Sequence, residues 1–174
     1  EDVVERIGSL PVIIKNISGS HGSGVSIVET KNGLRSIAEM IIENMKSGSL
    51  IVQEYVKESK GKDIRVFVVG GKIVAAMQRI AANRDEFRSN FKLGGKVRIA
   101  ELTAKEKRMS LAATDACGLE MAGVDILRTN SGPKVLEVNA NPGLEGITQA
   151  TGVDVAGAII KYTATKAKRE MGKK

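Results

Sequence analysis

Two carboxylates and a side-chain amide, Asp125, Glu137 and Asn139, carry the strongest chemical signal in the chain. They lie in the stretch 121–147, MAGVDILRTNSGPKVLEVNANPGLEGI. Two apolar runs, 122–127 and 134–138, flank Thr129-Asn130-Ser131-Gly132-Pro133. That pattern predicts a β-hairpin with an odd-numbered loop of roughly three to five residues. Side chains alternate along a strand, so Glu137 and Asn139 share one face. Folding about Ser131 sets Asp125 opposite Glu137, while Val124, Ile126, Leu136 and Val138 turn toward a core. Two unpaired carboxylates held close repel each other. A hard cation between them removes that cost, and magnesium takes oxygen ligands of this kind, completing its shell with water and nucleotide phosphates. Spacing alone leaves a second reading open, a hairpin with acids on a wet face. The following Asn141-Pro142-Gly143-Leu144-Glu145-Gly146 reads as a tight turn that ends the strand abruptly.

The elements that would position these residues can be read in order. A short strand at 10–14 carries Lys15 at its end, before the glycine and serine loop 18–24 and a second strand at 25–28. Backbone N–H groups of such a loop can wrap an anion, and a lysine at its base can reach phosphate oxygens. No Gly-Lys-Ser/Thr follows, so this is not a Walker A loop. His21, the single histidine, reads as a solvated loop residue. Apolar residues Leu34, Ile37, Ile41, Ile42 and Met45 have helical spacing, with Asn32-Gly33 before them. A strand at 50–52 runs into Gln53-Glu54-Tyr55-Val56. Residues 10–56 thus form a small unit with the look of a lid.

Strands at 63–69 and 72–80 are joined by Gly70-Gly71, a two-residue hairpin turn. Asp63, Arg65, Phe67 and Val69 share a face, and Arg79 emerges at the far end of the return strand. Residues 81–101 read as a long polar loop. Thr103 and Glu106 form a capping box at the start of a helix that Gly118 ends. Cys117 is expected to be buried in that helical stretch. A final helix begins at Val153 or Asp154, with Val155, Ala158, Ile159 and Tyr162 on one face. The chain opens, at Glu1-Asp2-Val3-Val4, inside the end of a helix, as a fragment of a longer protein would.

Composition bounds the function. The 174 residues allow one domain or two small ones. A formal charge of +7 points to an acidic partner: nucleotide, nucleic acid or acidic polypeptide. Only 3% of residues are aromatic and none is Trp, which argues against base-stacking platforms for single-stranded nucleic acid. One cysteine excludes an internal disulfide framework and suits a reducing cytoplasm. No apolar run approaches membrane-spanning length, so no membrane partner is expected.

Together these residues resemble an ATP-grasp ligase of the RimK type. The blocks that carry the resemblance are LPVIIKN with GSHGSGV, LIVQEYVKESKGKDIRVFVVG, FRSNFKLGG and GVDILRTNSGPKVLEVNANPGLEGI. The resemblance implies an α+β ATP-grasp fold, with a lid subdomain at 1–56 and a larger antiparallel-sheet subdomain at 57–174 bearing the metal hairpin. It implies that Lys15 touches ATP phosphates and that Glu54 and Tyr55 sit at the adenine. Asp63 would contact the nucleotide near the ribose, and Arg88, Ser89 and Asn90 would reach the phosphate site. Asp125, Glu137 and Asn139 would hold two magnesium ions, or manganese in their place.

The implied reaction is ATP-dependent and makes an acyl phosphate, then an amide bond. Such phosphoryl transfer needs positioning and charge neutralisation more than covalent participation by protein. Arg88 and Arg79 would stabilise the transferring group. The family's best-known type adds glutamate to the C-terminus of a small-subunit ribosomal protein, so ATP, glutamate or a similar amino acid, and an acidic polypeptide acceptor are the expected partners. The alternatives are a ligase acting on a small metabolite or carrier protein, and a non-catalytic basic module that binds RNA or the ribosome. Oligomeric state is open, a homo-oligomer included.

Overall fold

The computed structural model describes residues 2–16, 24–44, 50–89 and 94–172, without the side chains of 2–4 and 44. The chain divides into two units, Glu1–Lys57 and Glu58–Lys174.

In the first unit α1 (Asp2–Ile7) precedes β1 (Val12–Asn16), β2 (Val25–Val28), α2 (Lys31–Asn44) and β3 (Leu50–Glu54). The three strands form an antiparallel sheet in the order β2-β1-β3. Val12, Ile14 and Val28 are buried against Leu34, Ile37, Ala38 and Ile41 of α2, with Leu50 and Val52 beside them. Leu34, Ile37 and Ile41 therefore do bury one stripe of α2, whereas Ile42 is 61% exposed and Met45 lies outside the described residues. The helix begins earlier than Asn32-Gly33 suggested. Thr30 Oγ1 accepts the Gly33 N–H at 3.0 Å, and that hydroxyl satisfies a donor at the helix start.

The second unit is built on a five-stranded antiparallel sheet in the order β6-β5-β4-β7-β8. Its strands are β4 (Lys62–Val69), β5 (Lys72–Ile80), β6 (Lys96–Ile99), β7 (Met121–Thr129) and β8 (Gly132–Asn139). Gly70 and Gly71 make the β4–β5 turn, both at positive φ (58° and 71°), a geometry that glycine adopts without strain. Strand alternation divides β4 cleanly. Ile64, Val66 and Val68 enter one apolar cluster with Ala122, Val124 and Ile126, against which Leu111 and Ala113 of α3 (Ala104–Ala116) pack. Phe67 enters the other, with Ala75 and Met77 of β5, Ile147 of α4 (Glu145–Thr151) and Val155 of α5 (Val155–Met171). Asp63 and Arg65 lie on the Phe67 face by the same alternation. The capping box forms as expected. Thr103 accepts the Glu106 N–H at 3.2 Å, and Glu106 accepts the Thr103 N–H at 2.8 Å.

Several expectations need correction. The polar stretch 81–101 contains β6, a short edge strand paired with β5. Its first part is fastened by backbone bonds, Gly61 N to Phe87 O at 3.0 Å and Ala81 N to Gly61 O at 2.8 Å. Polar composition concealed the strand because an edge strand needs only one half-buried face. Cys117 is exposed: it caps α3, and its side chain leaves the packed stripe. The turn after β8 is followed at once by α4, a helix that the glycines had hidden.

Candidate active site

The β7–β8 hairpin reaches the expected register by an unexpected route. Its turn has two residues, Asn130 and Ser131, between Thr129 and Gly132. A bulge then shifts the pairing between Asp125 and Ile126, so Ile126 faces Val135 while Asp125 faces Glu137. A two-residue loop without a bulge would set Asp125 opposite Leu136 and turn every site residue of β8 to the wrong face. The bulge restores Glu137 and Asn139 to the face of Asp125 and leaves Leu136 as the extra residue.

Four strands then bring one layer of side chains together. Arg79 of β5 lies opposite Asp63 of β4, Arg65 of β4 opposite Asp125 of β7, and Asp125 opposite Glu137 of β8. Asn139 lies opposite Gly123. Gly123 has no side chain for a clear reason: a Cβ there would stand 2.7 Å from Pro142 Cβ. The turn that ends β8 folds back over β7 beside Arg65, and Pro142 closes that side of the cluster.

The carboxylates are not unpaired, which corrects the premise on which a cation seemed necessary. Arg65 donates from Nε to Asp125 Oδ1 at 2.7 Å and from Nη2 to Oδ2 at 2.6 Å. Arg79 donates from Nη2 to Asp125 Oδ2 at 2.7 Å, and from Nε to Asp63 Oδ1 at 2.7 Å. Its Nη2 also holds Asp63 Oδ2. Arg65 Nη2 stands 3.9 Å from Glu137 Oε1, so one guanidinium faces both hairpin carboxylates. Asp63, Arg79 and Asp125 are 5%, 5% and 1% exposed, which makes this a buried network rather than a surface pair. Ser89, also buried, hydrogen-bonds Asp63.

Burial raises the Asp63 carboxyl above its usual range, opposed by the bond and charge of Arg79 and by the bond from Ser89. Burial also works against the Arg79 charge, but the bond to Asp63 and the charges of Asp125 and Asp63 outweigh it, and the guanidinium is held above its ordinary value. Arg79 is thus held in its charged form between two carboxylates.

Glu137 differs from Asp125 in exposure, its side chain being 44% accessible. Asn139 donates from Nδ2 to Glu137 Oε1 at 2.9 Å, which orients the amide. The donor set contains oxygen alone, two carboxylates and an amide, which suits a hard cation such as magnesium. Among the described residues no group of three or more His, Cys, Asp or Glu is gathered for a metal. A cation at Asp125 and Glu137 therefore needs further oxygens from water or from a phosphate-bearing ligand.

Arg88 is paired with Glu86. Its Nε and Nη2 bind the two oxygens of Glu86 at 2.9 and 2.8 Å, and its guanidinium carbon lies 5.6 Å from the centroid of the Phe87 ring. The side-chain and backbone bonds from Arg88 pull the Glu86 carboxyl down to about 2 against the effect of burial. The expected residues Lys15, Glu54 and Tyr55 belong to the first unit. Register places Lys15 on the face of the three-stranded sheet away from α2, with Ile13, Val25, Ile27 and Ile51. Glu54 pairs with Val12 and so starts from the opposite face, at the strand end. Tyr55 follows directly, and burial pushes its hydroxyl above the usual pKa. Asn90, His21 and loop residues 18–23 lie outside the described residues.

Arg65 is the site residue that sequence reading did not single out. Alternation along β4 put it on the face of Asp63, but only the pairing of β4 with β7 sets it opposite Asp125.

Residues 1–163 match the model of the RimK-like ATP-grasp domain. The chain belongs to the RimK-like ATP-grasp family. This RimK-like chain is 46% identical over 177 residues to a "Probable alpha-L-glutamate ligase" of Aliivibrio fischeri, covering 99% of the chain and 58% of that protein. It is 47% identical over 161 residues to the "Probable alpha-L-glutamate ligase 1" of Shewanella baltica, covering 92% of the chain and 52% of that protein. The chain therefore spans just over half the length of these relatives. A D-alanine–D-alanine ligase of Bacillus anthracis, solved with ATP, superposes with a TM-score of 0.71 at 26% identity, over 97% of the chain and 57% of that protein. The ATP-grasp ligase PsnB, solved with Mg and ADP, superposes with a TM-score of 0.68 at 21% identity, over 95% and 49%. This RimK-like chain has the α+β architecture expected from the sequence, helices with two antiparallel sheets. None of the helices among the described residues is long and apolar enough to cross a membrane.

Proposed function

We propose that this chain is the nucleotide- and metal-holding portion of an ATP-dependent ligase that joins glutamate, through its amine, to a carboxylate. The observation that carries the reading is the layer Arg79, Asp63, Arg65, Asp125, Glu137 and Asn139, in which the buried Arg79 and the partly buried Arg65 meet an oxygen-only donor set. The names of the relatives at 46% and 47% identity support glutamate as the amino acid.

The substrate carboxylate attacks the γ-phosphorus of ATP. The bond to the β-phosphate oxygen breaks, and ADP departs. The glutamate nitrogen then attacks the acyl carbon, the carbon–oxygen bond to phosphate breaks, and the amine proton is lost as the amide forms. Magnesium, one ion or two, would be held by Asp125, Glu137 and Asn139 and would offset the charge of the phosphates; manganese meets the same donor set. Arg79 is fixed by Asp63 and Asp125 and presents a permanent positive charge where negative charge develops, an interaction preorganised before the substrate arrives. We assign Asp63 to holding Arg79, with Ser89 behind it. Arg88 reaches a phosphoryl group once its pair with Glu86 opens. Lys15 and Asn90 are assigned to phosphates, and Glu54 and Tyr55 to the adenine. An acidic polypeptide is the acceptor.

Titration calorimetry of the full-length protein with ATP and magnesium, together with ADP release in the presence of glutamate, tests the reading. Glu137→Ala should weaken magnesium-dependent ATP binding more than tenfold and abolish ADP release. Unchanged affinity and turnover in that variant would overturn the assignment.

A further inference from the structure

A groove of about 590 Å³ lies between the β4–β5 turn and α5, at the end of the sheet remote from the charged layer. From Arg65 to Gly70 is five residues of strand, about 17 Å at roughly 3.3 Å per residue. Four cations line the groove, Lys72, Lys161, Lys166 and Arg169, against one acid, Glu170. Its floor is apolar, from Val69, Val74 and Ala158. Tyr162 is wedged against Gly70, where any Cβ would collide with the ring, so one wall is rigid. Lys166 already holds two carboxylates of the protein, Glu120 and, at 3.8 Å, Glu170. That ammonium is engaged within the protein, which leaves Lys72, Lys161 and Arg169 to face a ligand. Much of the cationic wall, Lys166 and Arg169 included, lies beyond residue 163, where the match to the family domain ends.

We propose that this groove binds an acidic polypeptide segment, a run of side-chain carboxylates whose methylenes lie on the apolar floor while the α5 cations meet the charges. The proposal rests on the ligase reading for its purpose: the segment is the part of an acidic acceptor about five or more extended residues from its reacting carboxylate. A nucleic acid would meet the same cations, but the groove offers a single aromatic ring, Tyr162, packed against Gly70 of the turn, and no row of rings for successive bases to stack on. Charge attraction on this surface is screened by salt.

The test is fluorescence anisotropy of a labelled hexaglutamate on the full-length protein without ATP, beside a labelled RNA hexamer of the same length. Lys161→Glu with Arg169→Glu should weaken hexaglutamate binding at least tenfold. Glu170→Gln, on the exposed side of α5, should tighten it two- to threefold, which a folding defect could not do. Both effects should shrink as salt rises. In turnover assays the charge-reversed variant should keep its rate on an acceptor of one or two residues and lose it only on long acidic acceptors. Equal hexaglutamate affinity in wild type and the charge-reversed variant would overturn the proposal, as would RNA binding that is tighter and equally sensitive to the variants. If hexaglutamate binds as stated but no glutamate is ever ligated, the ligase reading fails and the groove stands. If short acceptors are extended while hexaglutamate affinity ignores the variants, the reverse holds.

Discussion

Two buried carboxylates occupy opposite faces of the same five-stranded sheet, each gripped by arginine, and they are built differently. Glu106, 1% exposed, sits on the α3 face. It accepts Arg128 Nε at 2.6 Å and Nη2 at 2.9 Å, the Thr103 N–H at 2.8 Å and the Thr103 hydroxyl at 3.0 Å. Arg128 also donates to the Glu101 carbonyl at 2.8 Å, and Ser59 donates to the Arg128 carbonyl at 2.6 Å. Backbone groups therefore close that cluster and tie the start of α3 to β7. Asp125, equally buried, is held by side chains, Arg65 and Arg79, with Glu137 exposed next to them. A carboxylate tied to main chain cannot change partners without unravelling a helix end. One tied to arginine side chains can exchange them for a cation while the arginines turn to an incoming anion. We propose that the first arrangement serves stability and the second chemistry.

That contrast can be broken in order of expected effect on unfolding free energy. Arg79→Ala should cost about 3–5 kcal/mol, because it strands Asp63 in the interior and removes one of the two guanidinium groups on Asp125. Urea titration would show it, and a loss below about 1 kcal/mol would mean that the network is wet. Glu106→Gln should cost about 1.5–3 kcal/mol through its charge-assisted bonds, yet leave magnesium-dependent ATP affinity intact. A joint loss of stability and affinity would erase the distinction between the two clusters. Thr103→Ala should cost about 1 kcal/mol as a lost cap. Glu137→Ala, at an exposed position, should stay within about 0.5 kcal/mol of wild type while activity disappears.

Acid titration sharpens the comparison further. Glu86 is depressed from its ordinary 4.5 to about 2 by its bonds to Arg88. A carboxylate with a depressed folded pKa contributes stability above its unfolded value and loses it as pH falls through the folded one. The stability difference between wild type and Glu86→Gln should thus be full above pH 4.5 and fade by pH 2. Glu106 is lowered too, by its bonds to Arg128 against the effect of burial, so its contribution should fade in the same direction. A difference that grew on acidification would contradict both pairings.

Much of the site was legible from residue order. Alternation in β4 and β8 put Asp63 with Arg65 and Glu137 with Asn139, because a strand's period is fixed by backbone geometry. The capping box at Thr103 and Glu106, the Gly70-Gly71 turn and the apolar stripe of α5 are local patterns, and each formed as read. Three features were not local. The bulge at Leu136 corrects a turn shorter than expected, and no residue type at 135–136 announces it. Edge strand β6 is polar because one side of it meets solvent. Cys117 looked apolar by its neighbours, but the orientation of α3 on the sheet leaves it outside the packed stripe.

The sequence by itself determined which side chains share a strand face, where α3 begins and which donors are available, since those follow from covalent geometry and short-range hydrogen bonding. Only the tertiary structure decided that Arg65 meets Asp125 and that Arg79 bridges Asp63 and Asp125. Those contacts join strands from separate parts of the chain, and their pairing is set by burial of the two apolar faces of the sheet rather than by any pattern within one strand.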